Sequence, residues 1–320
     1  MSTPLSSALP RNTNALFAHA SRNSERTIVP INDCAVEPGT PRPAFFCVHS
    51  ASGVAGTDFL DLARFLEPSI RFFGIQAPPK RMLDIEFGSS VESLADYYAS
   101  ALNKFQPEGP LLLGGYCVGV VIALAMADKL RGLGREVGPL LMIDGVPENT
   151  AGVALSRWEL RYWRDLARNV RGWVNHGDLM RNRTLHSLLW SITNNATAIG
   201  KRAIGLKRGQ KLGGGYAIEG IMDVSRYQPA HKSFVNRLFQ ALFSYHPKSY
   251  SGDVIVYEAT VKPLLYLPQI GRIWRQFAPQ TQVVEIVGTH ISMMHEPYVG
   301  ALAKDIQRRL AGFFPAHSTS

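Results

Sequence analysis

Short apolar runs alternate along this sequence with stretches that have the spacing of amphipathic helices. Runs of this kind are typical of strands buried on both faces, and strands that alternate with helices predict a parallel sheet with right-handed crossovers. The predicted strands are AFFCVH (44–49), RFFGIQ (71–76), PLLLGG (110–115), PLLMID (139–144), DVIVYEA (253–259) and QVVEIVG (282–288). The predicted helices are 58–66, 91–105, 118–133, 266–278 and 297–314. The fold class is therefore α/β.

The alternation of strands and helices stops after Asp144 and resumes more than a hundred residues later. Residues 147–235 between them are helical in pattern, basic and interrupted by glycines, so we expect a helical lid inserted into the core. The core is then formed by residues 44–146 and 236–320. Residues 1–43 are rich in Ser, Asn and Pro and are predicted to be a partly disordered lead-in.

The positive charge of the chain is concentrated in the predicted lid. The whole chain has a net charge of +9 at pH 7, and the segment from Arg157 to Lys211 contains twelve Lys or Arg residues against three acidic residues. Because no aromatic platform or nucleic-acid-binding motif accompanies this charge, nucleic acid is not an expected partner.

Five arginines in the lid have the spacing of one helix face. They are Arg157, Arg161, Arg164, Arg168 and Arg171. A neighbouring apolar stripe is predicted to pack against the core. Its members are Leu160, Trp163, Ala167, Val170 and Val174. The arginine row is interpreted either as a docking surface for an acidic partner or as an ordinary solvated face.

Neither a membrane span nor a secretory leader is predicted. The chain has no run of roughly 18 apolar residues, the length that crosses a bilayer as a helix. The N-terminus lacks the basic-then-apolar order of a signal peptide. Three cysteines, Cys34, Cys47 and Cys117, cannot all pair with one another. We therefore expect a reducing, cytoplasmic location.

The segment GGYCVG, residues 114–119, lies where a predicted strand passes into a helix. Gly115 and Gly119 flank Cys117 at the spacing of a nucleophile elbow, a tight turn that presents one reactive side chain above the sheet. The helix N-terminus that follows favours the thiolate form of a cysteine. A buried core cysteine is the alternative, but the strand–turn–helix context favours the nucleophile.

A nucleophilic thiol needs a base, and the base needs an orienting acid. In this architecture the chain order is nucleophile, acid, histidine. Asp144, at the end of the next predicted strand, is the expected acid; a turn cap is its alternative role, and Glu258 is the second candidate acid. His290 follows the last predicted strand and is the expected base, with His295 as the weaker candidate.

An oxyanion hole needs two backbone N–H groups. Val118, the residue after the nucleophile, is expected to supply one, and Ala51, in the loop after the first predicted strand, the other. Gly53 and Gly56 are expected to let this loop approach closely, and His49 is interpreted as structural. No His, Cys and carboxylate spacing indicates a metal site, so no metal is expected.

These segments resemble the thioesterase domains that end nonribosomal peptide synthetases and polyketide synthases. The resemblance covers about residues 28–313 and is carried by blocks that recur in order, among them FFGIQAP, GPLLLGGYCVGVVIALAMADKLRGLGREVGPLLMIDGVP and VGTHISMMHEP. It implies an α/β-hydrolase fold, with helices on both faces of a mostly parallel sheet and a helical lid. It also implies catalytic roles for Cys117, Asp144 and His290, with oxyanion donors at Ala51 and Val118.

The same resemblance implies the substrate and the partner. An acyl or peptidyl group would arrive as a thioester on the 4′-phosphopantetheine arm of an acyl or peptidyl carrier protein, and the domain would hold no cofactor of its own. Carrier proteins are typically acidic and their arm begins with a phosphate, so the arginine row would favour docking.

The chain departs from the family pattern in two ways. Most members have serine at the elbow, whereas this chain has Cys117. Such domains are also commonly fused behind a carrier domain, but no G-G-x-S attachment motif occurs here, which predicts a free-standing protein unless the sequence is an excised fragment. Release by hydrolysis, cyclisation or transfer to an acceptor stays open, as do a carrier-to-carrier aminoacyl transferase and a non-catalytic carrier-docking module.

Overall fold

A computed structural model describes residues 26–32, 44–67, 70–146, 160–176, 227–262 and 269–313. Seven strands of this part of the chain form one sheet. In chain order they are β1 (Ile28–Pro30), β2 (Ala44–Val48), β3 (Arg71–Ile75), β4 (Leu112–Tyr116), β5 (Leu140–Ile143), β6 (Val254–Val261) and β7 (Gln282–Thr289). Their order across the sheet is β1-β3-β2-β4-β5-β6-β7. Only β1 runs antiparallel to its neighbour, β3, so the prediction of a mostly parallel α/β sheet is confirmed.

Helices cover both faces of the sheet. They are α1 (Ala55–Asp58), α2 (Leu60–Phe65), α3 (Pro79–Met82), α4 (Val91–Phe105), α5 (Gly119–Gly132), α6 (Leu160–His176), α7 (Pro229–Ser244), α8 (Ile270–Phe277) and α9 (Val299–Phe313), with a 3₁₀ turn at Ser292–Met294. One core cluster packs α4, α5 and α7 against the sheet, and a second packs α1, α2 and α9 against the opposite face. Successive strand residues alternate between the clusters, as Phe45 and Phe46 do.

The two helices beside the centre of the sheet form for different local reasons. Helix α4 is amphipathic, and the hydroxyl of its N-cap residue, Ser90, accepts a hydrogen bond from Ser93 N–H at 3.0 Å. Helix α5 is apolar on all sides over Gly119–Ala127, and each of these residues is buried. An all-apolar helix can only be stable when neighbours surround it, so its pattern places it against the sheet and under α4.

The strand order puts a crevice between β2 and β4. From β2 the chain turns to β3 on one side, whereas from β4 it turns to β5 on the other side. The two loops therefore diverge at the carboxyl edge, which is where parallel α/β sheets bind ligands. Register keeps the strand ends level there, since Val48 pairs with Gly115 and Tyr116 pairs with Ile143. Residues that follow β2, β4, β5 and β7 meet at this edge.

Two predicted boundaries differ from the observed elements. Residues 28–30, assigned to the lead-in, form edge strand β1 and pair with β3. Helix α7 runs through residue 235, the predicted end of the lid, and its buried side chains belong to the core cluster of the sheet. The extent of the lid otherwise stays a prediction, because much of it lies outside the described residues. Among the described helices, none is long and apolar enough to cross a bilayer.

Candidate active site

Cys117 occupies a strained turn between β4 and α5. Its φ is +59°, a left-handed conformation that costs a non-glycine residue about 1–3 kcal/mol and persists only where the surroundings impose it. Here they do, because the elbow is crowded: a Cβ on Gly115 would lie 2.3 Å from Gly119 O, and one on Gly119 would lie 2.4 Å from His49 O. Cys117 N–H donates to Ile143 O at 3.0 Å. The glycines at this spacing therefore serve the close approach predicted from the sequence.

Asp144 follows β5 in a second left-handed turn. Its φ is +43°, which aspartate tolerates better than most residues, and its N–H donates to Tyr257 O at 2.8 Å. The side chain is only 7% exposed. Its Oδ1 accepts from Ala259 N–H at 2.8 Å, and its Oδ2 lies 2.8 Å from His290 Nδ1. The carboxylate thus bonds the expected base, and the alternative role as a turn cap is not needed to explain its position.

Burial alone would raise the pKa of the Asp144 carboxyl. The hydrogen bond with His290, the positive charge of Lys262 and the N–H of Ala259 lower it by more, so its pKa lies below the usual value. The group is therefore ionised near neutral pH, as an orienting acid must be.

His290 directly follows β7 and lies between Asp144 and Cys117. Burial lowers the pKa of the ring, but the negative charge of Cys117, the hydrogen bonds with Asp144 and Cys117 and the charge of Asp144 raise it well above its usual value. Because Nδ1 of His290 is bonded to Asp144, Nε2 is the ring nitrogen that can form the hydrogen bond with Cys117. This arrangement brings together the three residues predicted from GGYCVG, LLMID and VGTH.

Tyr116 packs against the ring of His290 and was not identified from the sequence. Its ring stacks on the imidazole with centroids 5.0 Å apart, and its hydroxyl donates to His290 O at 2.8 Å. The sequence signal that could have indicated Tyr116 was its position directly before Cys117. Side chains alternate along a strand, so the residue before the elbow points to the opposite face, but nothing local shows that this face meets the end of β7.

Glu258, the second candidate acid, has a different partner. Its Oε1 lies 2.7 Å from Lys262 Nζ, which is also 3.9 Å from Asp144 Oδ1. Glu258 therefore pairs with the lysine whose charge lowers the pKa of Asp144. The i, i+4 spacing of Glu258 and Lys262 was visible in the sequence, but their proximity to Asp144 depends on the pairing of β5 with β6.

His295, the weaker candidate base, ends the 3₁₀ turn that follows His290. Its Nδ1 lies 2.7 Å from Asp61 Oδ2 on helix α2, and its side chain is about half exposed. The pairing with Asp61 places it outside the group formed by Cys117, Asp144 and His290.

The loop after β2 lies against the first turn of α5, because the carbonyl oxygens of Val48 and His49 are both within 2.5 Å of the Cβ position of Gly119. Ala51 in this loop is 5% exposed. Within the described residues, neither Ala51 N–H nor Val118 N–H donates to another backbone or side-chain group. Both amides are thus available at this edge of the sheet, as an oxyanion hole requires.

Gly53 and His49 take the structural roles expected of them, and Gly56 does not. Gly53 has a φ of +75°, and a Cβ there would lie 2.8 Å from Met82 Cε. Around Gly56, no described atom beyond its own helix backbone and its two chain neighbours lies within 4 Å of the Cβ position, so the expectation of a close approach there is wrong. His49 is fully buried, and its Nε2 lies 2.8 Å from Tyr98 Oη. Burial lowers the pKa of its ring to about 4.

Helix α6 packs on the sheet with a face different from the one predicted. Asn169 is buried and exchanges two hydrogen bonds with the backbone of Lys262, and a Cβ on Gly172 would lie 2.9 Å from Val261 Cγ2. Trp163 and Val170 are exposed by 58% and 45%. The predicted packing of the apolar stripe is therefore wrong for these two residues and for Ala167, which is also exposed, whereas the side chains of Leu160 and Val174 lie outside the described residues. The small or amide side chains permit the closest approach to β6.

The arginine row is exposed where it is described. Arg164 lies 3.4 Å from Asp165, Arg168 lies 3.1 Å from Glu285 of β7, and Arg171 is exposed. Arg157 and the side chain of Arg161 lie outside the described residues. Arg168 therefore links this row to β7, the strand that precedes His290.

Across the described ranges, no group of three or more His, Cys, Asp or Glu side chains could hold a metal ion. What the site presents instead is a thiol, an imidazole and a buried carboxylate in series, beside two unengaged backbone amides. This combination suits nucleophilic attack on a carbonyl carbon.

Comparison with known proteins agrees with the family resemblance seen in the sequence. Residues 43–310 match the family model described as "Thioesterase domain". Enterobactin synthase component F of Escherichia coli (strain K12) is 33% identical over 108 residues, which are 34% of this chain and 8% of that protein. Non-reducing polyketide synthase Dhc5 of Alternaria cinerariae is 34% identical over 111 residues, 33% of this chain and 5% of that protein. The aligned part thus spans less than a tenth of these curated relatives.

Solved structures share the fold. The NocB thioesterase domain from the nocardicin cluster is 21% identical with a TM-score of 0.55, covering 89% of this chain and 99% of that one. The thioesterase domain SrfTE, described in the cyclization of the lipopeptide antibiotic surfactin, is 15% identical with a TM-score of 0.52, covering 91% of this chain and 98% of that one. The agreement over most of both chains confirms the fold.

The charges around His290 predict how its titration responds to substitution. Asp144→Asn should lower the pKa of His290, because the amide removes the negative charge beside Nδ1. Cys117→Ala should also lower this pKa, because alanine removes the negative charge beside Nε2. Glu258→Gln should change it less than either, since Glu258 bonds Lys262. The pKa is measured from the imidazole proton resonances in NMR titrations. A larger decrease in Glu258→Gln than in Asp144→Asn would assign the acid to Glu258.

Proposed function

The chain belongs to the thioesterase domain family, and we propose that it takes an acyl or peptidyl group from a carrier-protein thioester onto Cys117. The proposed setting is nonribosomal peptide or polyketide synthesis, because the names of curated relatives include a non-reducing polyketide synthase and a probable nonribosomal peptide synthetase. The observation that supports this most is the hydrogen-bonded series from Asp144 through His290 to Cys117 at the carboxyl edge of the sheet.

In the proposed first step, the proton of the Cys117 thiol is held at Nε2 of His290, because the raised pKa of the ring favours its protonated form, and the sulfur attacks the thioester carbonyl. The carbonyl oxygen becomes an oxyanion that accepts hydrogen bonds from the N–H groups of Ala51 and Val118. When the tetrahedral intermediate collapses, the bond to the pantetheine sulfur breaks and His290 returns the proton to that sulfur. The products are an acyl-cysteine and a free carrier thiol. Asp144 stays ionised throughout and stabilises the protonated ring.

The second step transfers the acyl group from Cys117 to an acceptor. His290 takes a proton from water, an amine, a hydroxyl or an acceptor thiol, whose heteroatom attacks the acyl carbon and releases the Cys117 sulfur. Water gives hydrolysis, an internal nucleophile gives cyclisation, and an external one gives transfer.

The sulfur at the elbow favours transfer over hydrolysis as the role of this chain. Exchange of a pantetheine thioester for a cysteine thioester is nearly isoenergetic, so the acyl group stays activated. With serine the same step would form a more stable oxygen ester and would make return to a thiol unfavourable. A carrier-to-carrier aminoacyl transferase is therefore the specific alternative within this proposal.

A carrier-docking module without turnover is the candidate from another class. It would use the arginine row of α6 and leave Cys117 idle. The strained φ of Cys117 argues against it, because a chain selected only for docking has no reason to retain strain at this turn.

The nucleophile is tested by mass spectrometry of the protein after incubation with an acyl-loaded carrier. Wild type should gain the mass of one acyl group on the Cys117 peptide. Cys117→Ala should gain none and should lose about 10³-fold or more of the turnover rate. Cys34→Ser is the matched control, since it removes another thiol and changes no residue of GGYCVG. Full turnover in Cys117→Ala would refute the assignment.

The preference for transfer is tested by exchanging the elbow sulfur for oxygen. With a loaded donor and an empty acceptor carrier, wild type should load the acceptor faster than it releases free acid. Cys117→Ser should lower acceptor loading by about tenfold or more relative to hydrolysis, because return from an ester to a thiol is uphill. An unchanged ratio of acceptor loading to free acid would show that the sulfur does not set the outcome.

The docking role of the arginine row is tested by charge reversal. In Arg164→Glu/Arg171→Glu, KM for a carrier-bound thioester should rise about tenfold at low salt, and the effect should shrink as ionic strength increases. KM for a small pantetheine thioester should not change, since it lacks the carrier surface. Lys104→Glu, at an exposed position on α4, is the control. Equal effects on both substrates would contradict carrier docking.

A further inference from the structure

The loop that contains Ala51 is held by a carboxylate that no step of the proposed reaction uses. Asp58, at the end of α1, points back towards the loop that precedes its own helix. Its Oδ2 accepts from Ser50 N–H at 2.7 Å, and both of its oxygens lie 3.1 Å from Ser52 Oγ, whose hydroxyl donates. The two residues that Asp58 binds are the neighbours of Ala51 on either side.

We propose that Asp58 is a positioning residue that orients Ala51 N–H for the oxyanion. This inference rests on the proposed function, since it needs an oxyanion at Ala51. Ala51 itself has only a methyl side chain, and its N–H makes no bond to a described group. The direction of that N–H follows from the peptide plane between Ser50 and Ala51. Asp58 restrains the residues on either side of this plane through Ser50 N–H and Ser52 Oγ.

Further bonds restrain the same loop from its other sides. The carbonyl of Ser52 can only accept, so His231 of α7 donates to it through Nε2, and the ring of His231 stacks on Tyr227 at 4.3 Å. The carbonyl of Ser50 likewise accepts from Nδ1 of His49. These contacts fix the carbonyl groups, whereas Asp58 fixes an N–H and a hydroxyl. Two carbonyls, an N–H and a hydroxyl that flank Ala51 thus each have a hydrogen-bond partner.

The ionisation of Asp58 agrees with this role. Burial raises its pKa to about 6, and the hydrogen bonds from Ser50 and Ser52 limit the rise. The group is therefore mostly ionised at neutral pH, and hydrogen bonds to a carboxylate are shorter and stronger than those to a neutral acceptor. A buried carboxylate is costly unless it is hydrogen-bonded, so these bonds also explain why the side chain lies inside the loop.

Two reactions of the same sulfur separate positioning of Ala51 from other effects. Acylation of Cys117 by an acyl-pantetheine thioester passes through an oxyanion, whereas alkylation by iodoacetamide displaces iodide at a saturated carbon and forms none. Both reactions need the thiol and His290. A variant that disturbs only the oxyanion hole should therefore slow acylation and leave alkylation unchanged.

The experiment compares wild type, Asp58→Asn, Ser52→Ala and the control Asp96→Asn in both reactions. Asp58→Asn should lower the maximal acylation rate about 10- to 100-fold with little change in KM, because an amide oxygen can replace only one of the two accepting oxygens. Ser52→Ala, which removes one donor to Asp58 and keeps the Ser50 N–H, should give a smaller decrease. Both should alkylate within about twofold of wild type. Asp96→Asn, on an exposed residue that pairs with Lys129, should match wild type in both reactions.

The outcomes distinguish the two proposals. If wild type forms no acyl-enzyme, the proposed function fails, and this inference fails with it. If wild type acylates and Asp58→Asn acylates equally fast, only the role of Asp58 is overturned. A parallel loss of acylation and alkylation in both Asp58→Asn and Ser52→Ala would also overturn it, since the damage would then extend to Cys117 and His290.

Discussion

The close approach of strand β4 to the first turn of helix α5 is the constraint on which the site depends. No side chain fits at Gly115 or Gly119, and the backbone of the β2 loop occupies the space beside Gly119. Because these three backbone segments meet, the residue between the glycines is forced to a φ of +59°. The same contact places Cys117, the free amide of Val118 and the loop of Ala51 within one small region, before any catalytic side chain is considered.

Charge then organises the region around His290. The ring lies between two negative groups, Asp144 and Cys117, and is supported by the ring and hydroxyl of Tyr116. Asp144 keeps its charge in a buried position because His290, Lys262 and a backbone N–H compensate for its loss of water. Glu258 in turn balances Lys262. Each ionised group thus has a partner of opposite sign, which is the condition for buried charges to be stable.

Most of the sheet and the series Cys117, Asp144 and His290 were predictable from the sequence, because strand ends and apolar periodicity are local signals. The sequence did not predict β1, because this strand has only three residues and lies at the edge of the sheet. An edge strand pairs with one neighbouring strand, whereas a central strand pairs with two. The packed face of α6 was predicted wrongly, because an amphipathic pattern shows which residues of a helix are apolar but not which surface the helix packs against. Asn169 and Gly172 pack against β6, whereas Trp163 is exposed.

The sequence by itself determined the α/β class, the elbow and the chain order of the candidate nucleophile, acid and base. Each of these depends on short segments of the chain that can be recognised separately. Only the tertiary structure decided which acid bonds His290, that Tyr116 stacks beneath it and that Asp58 holds the loop of Ala51. The physical reason is that these contacts join residues on different strands and loops, and their distances follow from sheet register and backbone packing rather than from spacing along the chain.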